Sequence, residues 1–184
     1  MQIILASQSP RRKMLLEWAE IPFIVRVVAT SEAFPPEMKV ESVPVYIARK
    51  KAIAAGGGDD EIIIAADTVV LLGNEIIGKP SDRSDAINIL TKLSGKVHRV
   101  ITGVVILKNK NEISFTDVTE VEFHLLTQQQ IIFYVDKYKP YDKAGAYAIQ
   151  EWIGVTGIKK ISGDFYNVMG LPVNRVVKTL QQLV

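Results

Sequence analysis

The stretch Glu61-Ile62-Ile63-Ile64-Ala65-Ala66-Asp67-Thr68-Val69-Val70-Leu71-Leu72 is the most strand-like part of this chain. It is rich in β-branched residues, and Gly73-Asn74 turns it back into Glu75-Ile76-Ile77 as a hairpin. One charge, Asp67, interrupts the apolar run. A carboxylate there is costly to bury unless it is paired or bound to a metal. Beside the hydroxyl of Thr68 it suits ligation of Mg²⁺ or Mn²⁺, or service as a base for a water. A carboxylate satisfied by local N–H groups at a strand end is the other reading.

The flanking segments alternate strand and helix. Ile3 to Ala6 is a short buried strand that runs into Ser7-Gln8-Ser9-Pro10, and a helix follows through Met14, Leu15, Trp18 and Ala19. Ser9 suits the N-cap and Pro10 the first helical position, where no donor is needed. Phe23 to Val28 reads as a second strand and Ala33 to Lys39 as an irregular loop. Ser42 with Pro44 opens a second helix through Ala52, stopped by Gly56-Gly57-Gly58. A helix spans Ser84 to Leu93. Two long strands, Val97 to Leu107 and Ser114 to Leu125, join at Lys108-Asn109-Lys110-Asn111. Thr127 and Gln130 form a capping box for a helix that Pro140 stops. Short strands around Ala146 to Gln150 and a last helix from Pro172 to Leu183 complete the order. This pattern predicts an α/β fold with a mixed, elongated sheet flanked by helices. It spans residues 1–184 as one domain, with two lobes around a central cleft.

Composition narrows the function classes. Twenty-two basic residues against 20 acidic ones leave a net charge of +2, without the one-sided basic surface that nucleic-acid backbones require. The absence of cysteine excludes disulfides, zinc ribbons and thiolate nucleophiles. The apolar start Met1-Gln2-Ile3-Ile4-Leu5-Ala6 is too short for a signal segment, and no run approaches the roughly 20 residues of a membrane span. A soluble, cytoplasmic protein with no nucleic-acid or membrane partner is expected.

Several segments could carry chemistry. A helix N-terminus favours anions through its unpaired N–H groups and partial positive charge. Cations are disfavoured there, yet Arg11 and Arg12 occupy the first turn and Lys13 follows. An anion between them, such as a phosphate gripped bidentately, resolves the conflict; solvated arginines on a capped helix are the alternative. Gly78-Lys79-Pro80 delivers a lysine to a set position after the hairpin, although a solvated turn lysine fits equally well, and Lys51 is similarly open. Tyr141 to Gln150 mixes small and polar residues, a sign of close approach. Glu32, in the polar break Thr30-Ser31-Glu32, is a second carboxylate for a metal or an exposed loop residue. His98 and His124 lack metal-ligand spacing and read as structural. Gly56-Gly57-Gly58 lacks the ending of a phosphate-binding loop. Met14, Leu15, Leu16 and Trp18 read as core.

Taken in order, Leu5-Ala6-Ser7-Gln8-Ser9-Pro10-Arg11-Arg12, Lys51-Ala52, Ala66-Asp67-Thr68-Val69-Val70, Gly78-Lys79-Pro80, Ser94-Gly95-Lys96-Val97-His98, Thr102-Gly103-Val104, Asp142 to Gln150 and Asn167-Val168-Met169-Gly170-Leu171-Pro172 resemble the Maf family of nucleoside triphosphate pyrophosphatases along nearly the whole chain. The resemblance implies a fold related to the inosine triphosphate pyrophosphatases. It also implies hydrolysis of a nucleoside triphosphate to monophosphate and pyrophosphate with a divalent cation (Mg²⁺, Mn²⁺ or Co²⁺). Carried onto matching positions, the family roles make Asp67 the proton acceptor and a metal ligand, joined at the metal by Glu32. Ser9, Arg12, Lys51 and Lys79 become the phosphate holders. Arg11, Thr68 and Gln150 match the three positions that mark the dTTP/UTP branch, where the branch acting on 7-methyl-GTP carries Trp, Gln and Glu. The family usually has an acidic residue just before the glutamate matching Glu32; this chain has Ser31.

A pyrimidine offers amide-like edges that the donor and acceptor of Gln150 can pair with. The alternative function is a nucleotide-binding regulator of septum formation with little turnover, in keeping with the family's link to that process. A homodimer is the prior expectation for such an enzyme.

Overall fold

A computed structural model describes residues 1–109 and 111–183. In chain order the elements are β1 (Gln2–Leu5), α1 (Pro10–Trp18), β2 (Ile24–Val25), α2 (Val43–Ala55), β3 (Glu61–Leu72), β4 (Glu75–Ile77), α3 (Arg83–Leu93), β5 (Val97–Lys108), β6 (Asn111–Phe123), α4 (Gln128–Tyr138), α5 (Trp152–Gly157), β7 (Ile158–Ser162), α6 (Phe165–Met169) and α7 (Val173–Leu183). The fold is α/β with a mixed sheet of order β2-β1-β3-β5-β6-β7, and β4 pairs β3. β1 runs parallel to both β2 and β3, whereas β3–β4 and β6–β7 are antiparallel.

Local signals account for most of these elements. Pro10 stands at the start of α1 and Ser9 Oγ accepts from the Arg12 N–H at 3.5 Å. The Thr127–Gln130 capping box is complete, and α4 ends at Lys139 in the left-handed region, ahead of Pro140. Gly73-Asn74 closes the β3–β4 hairpin in the register Leu72↔Glu75. Lys110, in the turn expected between β5 and β6, lies outside the described residues.

The described residues cluster into two compact units: Met1–Thr68, Thr102–Asp117 and Gly170–Val184 in the first, and Val69–Ile101 and Val118–Met169 in the second. In the first, the small residues Ala48, Ala52 and Ala55 of α2 pack on Ile4, Ala6, Ile63, Ala65 and Val105. Helical spacing puts those alanines on one face, and the two-residue period of a strand puts Ile63 and Ala65 on one face of β3. Gly103 lies on the same face of β5 as Val105. An ideal Cβ on Gly103 would fall 2.2 Å from Val45 N, so α2 rests directly on the β5 backbone there. In the second unit, His98, Phe123 and Tyr147 form a buried ring cluster, with His98 Nε2 and Tyr147 Oη 2.7 Å apart. Arg83 of α3 grips the Asp136 carboxylate of α4 at 2.5 and 2.9 Å.

Three expectations need correction. Ala146 to Gln150 is not a strand: Gly145 and Ala146 have φ of +72° and +57°, which breaks an extended backbone, and Ala148 to Glu151 is a turn. The late strand is β7 instead, a pattern of Ile and Lys that reads as polar because it lies at the sheet edge, where lysines discourage further pairing. Second, only Ile24–Val25 of the Phe23 to Val28 stretch is strand. Third, Trp18 is not core. Arg12, Leu15 and Leu16 set the buried face of α1, and Trp18 lies off that face in its last turn, 60% exposed.

Candidate active site

Strand and helix periods bring Asp67 and Lys51 of the first unit together, and Glu32 joins them from a loop. Asp67 follows Ile63 and Ala65 on the α2-covered face of β3, and Lys51 stands on α2 beside Ala48, Ala52 and Ala55. Lys51 Nζ donates to Asp67 Oδ1 at 2.7 Å and to Glu32 Oε1 at 2.7 Å. The Asp67 and Lys51 side chains are largely buried, at 12% and 17% exposure, whereas Glu32 is half exposed at 53%. Ser31, where the family usually has an acidic residue, accepts from the Ala33 N–H at 3.2 Å and so shapes the loop that carries Glu32.

Arg12 occupies the other side of β3. Its guanidinium is buried, and four of its five N–H groups are used within the protein. Nε donates to Gly170 O at 2.7 Å; Nη1 donates to Ala66 O at 2.7 Å and to Ser7 Oγ at 3.1 Å; Nη2 donates to Thr68 Oγ1 at 3.0 Å. Burial pulls its pKa down from the ordinary guanidinium value, while the Asp67 charge opposes that fall. The Thr68 hydroxyl accepts from Arg12, and it lies 2.9 Å from Thr102 Oγ1 on β5. Ser7 Oγ also accepts from the Ser9 N–H at 3.2 Å. The strand-to-helix turn, the strand with Asp67 and the Gly170 backbone are thus tied through one side chain. Sequence reasoning missed this: the run Asn167-Val168-Met169-Gly170 entered only as a matching segment, with no signal that its carbonyl meets Arg12.

Ser9, Arg11, Arg12, Glu32, Lys51, Asp67 and Thr68 belong to the first unit, and Lys79 and Gln150 to the second. Lys79 is exposed in the turn after β4, where Gly78 O accepts from the Gly145 N–H at 3.0 Å. Gln150 is exposed in the turn before α5. His98 is buried in its ring cluster and His124 is exposed.

The donor chemistry fits a divalent cation. Glu32 and Asp67 already converge on one positive atom, so their oxygens can reach a common ion. Among the described residues no cluster of three or more His, Cys, Asp or Glu suited to a metal occurs. Two carboxylates with the remaining positions left to water and phosphate is the manner in which Mg²⁺ is usually held.

The fold is that of solved Ham1 proteins: one from Coxiella burnetii superposes with a TM-score of 0.53 at 18% identity, covering 99% of each chain, and one from Staphylococcus aureus with a TM-score of 0.52 at 19% identity, covering 100% of each. An α/β protein of this architecture, with two carboxylates meeting on one lysine, defines the class. The chain belongs to the Maf family, whose model, described as Maf-like protein, matches residues 2–183. It is 48% identical to a dTTP/UTP pyrophosphatase of Phocaeicola vulgatus and 45% identical to one of Bacteroides thetaiotaomicron, each covering 99% of this chain and 96% of the relative. A dTTP/UTP pyrophosphatase of Cytophaga hutchinsonii is 47% identical, covering 98% of this chain and 84% of that protein.

Proposed function

We propose that this protein hydrolyses dTTP and UTP to the nucleoside monophosphate and pyrophosphate. The relatives that carry that name support the reaction. The observation on this chain that carries the reading is the Glu32–Lys51–Asp67 arrangement, a largely buried carboxylate held beside a cation and a second carboxylate.

Asp67 accepts the proton of the attacking water. The water oxygen forms a bond to phosphorus, the bridging P–O bond between the α- and β-phosphates breaks, and pyrophosphate leaves with the bond's electrons. Such proton transfer typically contributes about 10²- to 10⁴-fold to the rate. Lys51, Lys79 and the first turn of α1 with Ser9 offset phosphate charge, and Arg12 adds its charge and its one remaining N–H. Glu32 and Asp67 would hold a divalent cation, Mg²⁺, Mn²⁺ or Co²⁺, which when bound supplies charge neutralisation at the phosphates. Arg11, Thr68 and Gln150 select the base, Gln150 by pairing with the pyrimidine edge. No described helix is long and apolar enough to cross a membrane and the chain has no cysteine, which suits an enzyme acting on free cytoplasmic nucleotides.

The test is a nucleotide panel with product identification. Pyrophosphate with dTMP or UMP is the expected outcome, and orthophosphate with a nucleoside diphosphate contradicts the proposal.

A further inference from the structure

Gln150 sits on a four-residue turn that is hydrogen-bonded at both ends. The Glu151 N–H donates to Ala148 O at 3.1 Å, which makes Ile149 and Gln150 the two central residues. Ala148 and Ile149 are buried while Gln150 is exposed. Both ends of the turn meet one phenol. The Ala148 N–H donates to Tyr134 Oη at 3.1 Å, and the Tyr134 O–H donates to Glu151 Oε2. Tyr134 comes from the middle of α4 and is fully buried.

Two further contacts complete the support. An ideal Cβ on Gly154 would fall 1.7 Å from Ile149 O, so the start of α5 lies directly against that carbonyl and leaves no room for a side chain. The other carboxylate oxygen of Glu151 lies 3.6 Å from Lys143 Nζ, and that ammonium donates to Asp142 Oδ1 at 2.7 Å.

The direction of the hydrogen bonds is fixed. Burial, and then the hydrogen bond to Glu151, push the phenol's pKa up from its ordinary value, so Tyr134 keeps its proton. The O–H therefore points at the carboxylate, and a lone pair is left for the buried Ala148 N–H, which needs a partner. An apolar residue at 134 would fill the same space without holding either end of the turn.

We infer that Tyr134 and Glu151 are positioning residues for base selection: they clamp the Ala148–Glu151 turn and thereby fix where the Gln150 amide is presented. The inference rests on the reading of Gln150 as the contact to the pyrimidine ring. Neither residue touches the substrate. A glutamine side chain has several rotatable bonds, and it discriminates donor from acceptor only if its backbone is held to within a fraction of an ångström.

The test compares kcat and KM for dTTP, UTP and dGTP among the native enzyme, Gln150→Ala, Tyr134→Phe, Glu151→Ala and Glu151→Gln. Tyr134→Phe and Glu151→Ala are expected to raise KM for dTTP and UTP by about tenfold with kcat little changed, since misplacing a contact by about an ångström has an effect of this order or larger. Their pyrimidine-over-purine preference falls by a similar factor. Glu151→Gln keeps the acceptor for Tyr134 and is expected to retain the native preference, which a role in bulk charge would not allow. Glu151 is partly exposed, so its variants remain informative if Tyr134→Phe folds poorly. Native preference in Glu151→Ala alongside a lost preference in Gln150→Ala overturns the clamp. Native preference in Gln150→Ala overturns the underlying reading of Gln150 instead.

Discussion

Lys51 Nζ lies 2.7 Å from Asp67 Oδ1 and 2.7 Å from Glu32 Oε1, so a single ammonium holds two carboxylates of distant sequence together. The two contacts differ in weight. Asp67 is on a rigid strand and largely buried, whereas Glu32 reaches in from a half-exposed loop. Asp67→Asn keeps the size of the side chain and an acceptor for Lys51 but removes the base. Turnover of dTTP is expected to fall by about 10²- to 10⁴-fold with the fold retained, read by steady-state kinetics beside circular dichroism. A variant that turns over normally would move the base to another residue.

Removing the cation tests the same cluster from the other side. In Lys51→Met the two carboxylates face each other without a counter-charge, and the folded state is expected to lose about 1–2 kcal/mol, a figure kept small because Glu32 is half exposed. Millimolar Mg²⁺ or Mn²⁺ is expected to raise the melting temperature of this variant more than that of the native protein. Equal metal shifts in the two proteins would argue that the carboxylates share no ion.

Arg12 is bound to Ala66 O, Gly170 O, Ser7 Oγ and Thr68 Oγ1, a set that a lysine cannot reproduce from one nitrogen. Arg12→Lys leaves buried carbonyls unpaired and is expected to cost roughly 2–4 kcal/mol of stability, measured by chemical denaturation. A loss of activity with native stability would instead assign Arg12 to phosphate contact alone.

His98 gives a pH dependence. It is buried, its Nδ1 has no partner, and burial pushes its pKa down to about 4. The unfolded chain takes up that proton near pH 6.5, the folded chain only near 4, so the unfolded state binds more protons between these values. Stability is therefore full above about pH 6.5 and declines as the pH falls through that window, by on the order of 3 kcal/mol. Glu61, held down to about 2 by Arg26, contributes at lower pH, so the decline from pH 6.5 to 4.5 belongs to His98. Denaturation midpoints of His98→Gln that stay flat over this range agree with the assignment; an unchanged slope contradicts it.

The sequence carried most of the frame because its local rules agreed with the packing. Ser9 and Pro10, Gly73-Asn74, and Thr127 with Gln130 each state a helix start or a turn within a few residues, and each stands where expected. The strand period brought Asp67 to one face and the helix period brought Lys51 to meet it. What could not be read were relationships made by tertiary approach. That the carbonyl at Gly170 completes the Arg12 cradle depends on a separation of 158 residues. β7 was missed because an edge strand with lysines lacks the apolar signature of a buried one, and Trp18 was misplaced because its position on α1 turns it off the face set by Arg12, Leu15 and Leu16.

The products of hydrolysis report which phosphoanhydride bond breaks. Purified protein should be incubated with dTTP and with UTP in Mg²⁺ or Mn²⁺, and the products resolved by phosphorus NMR or anion-exchange chromatography. Pyrophosphate is expected in equal amount with dTMP or UMP; orthophosphate appearing with dTDP or UDP, or nucleotide bound but left intact, would rule out cleavage between the α- and β-phosphates by this enzyme.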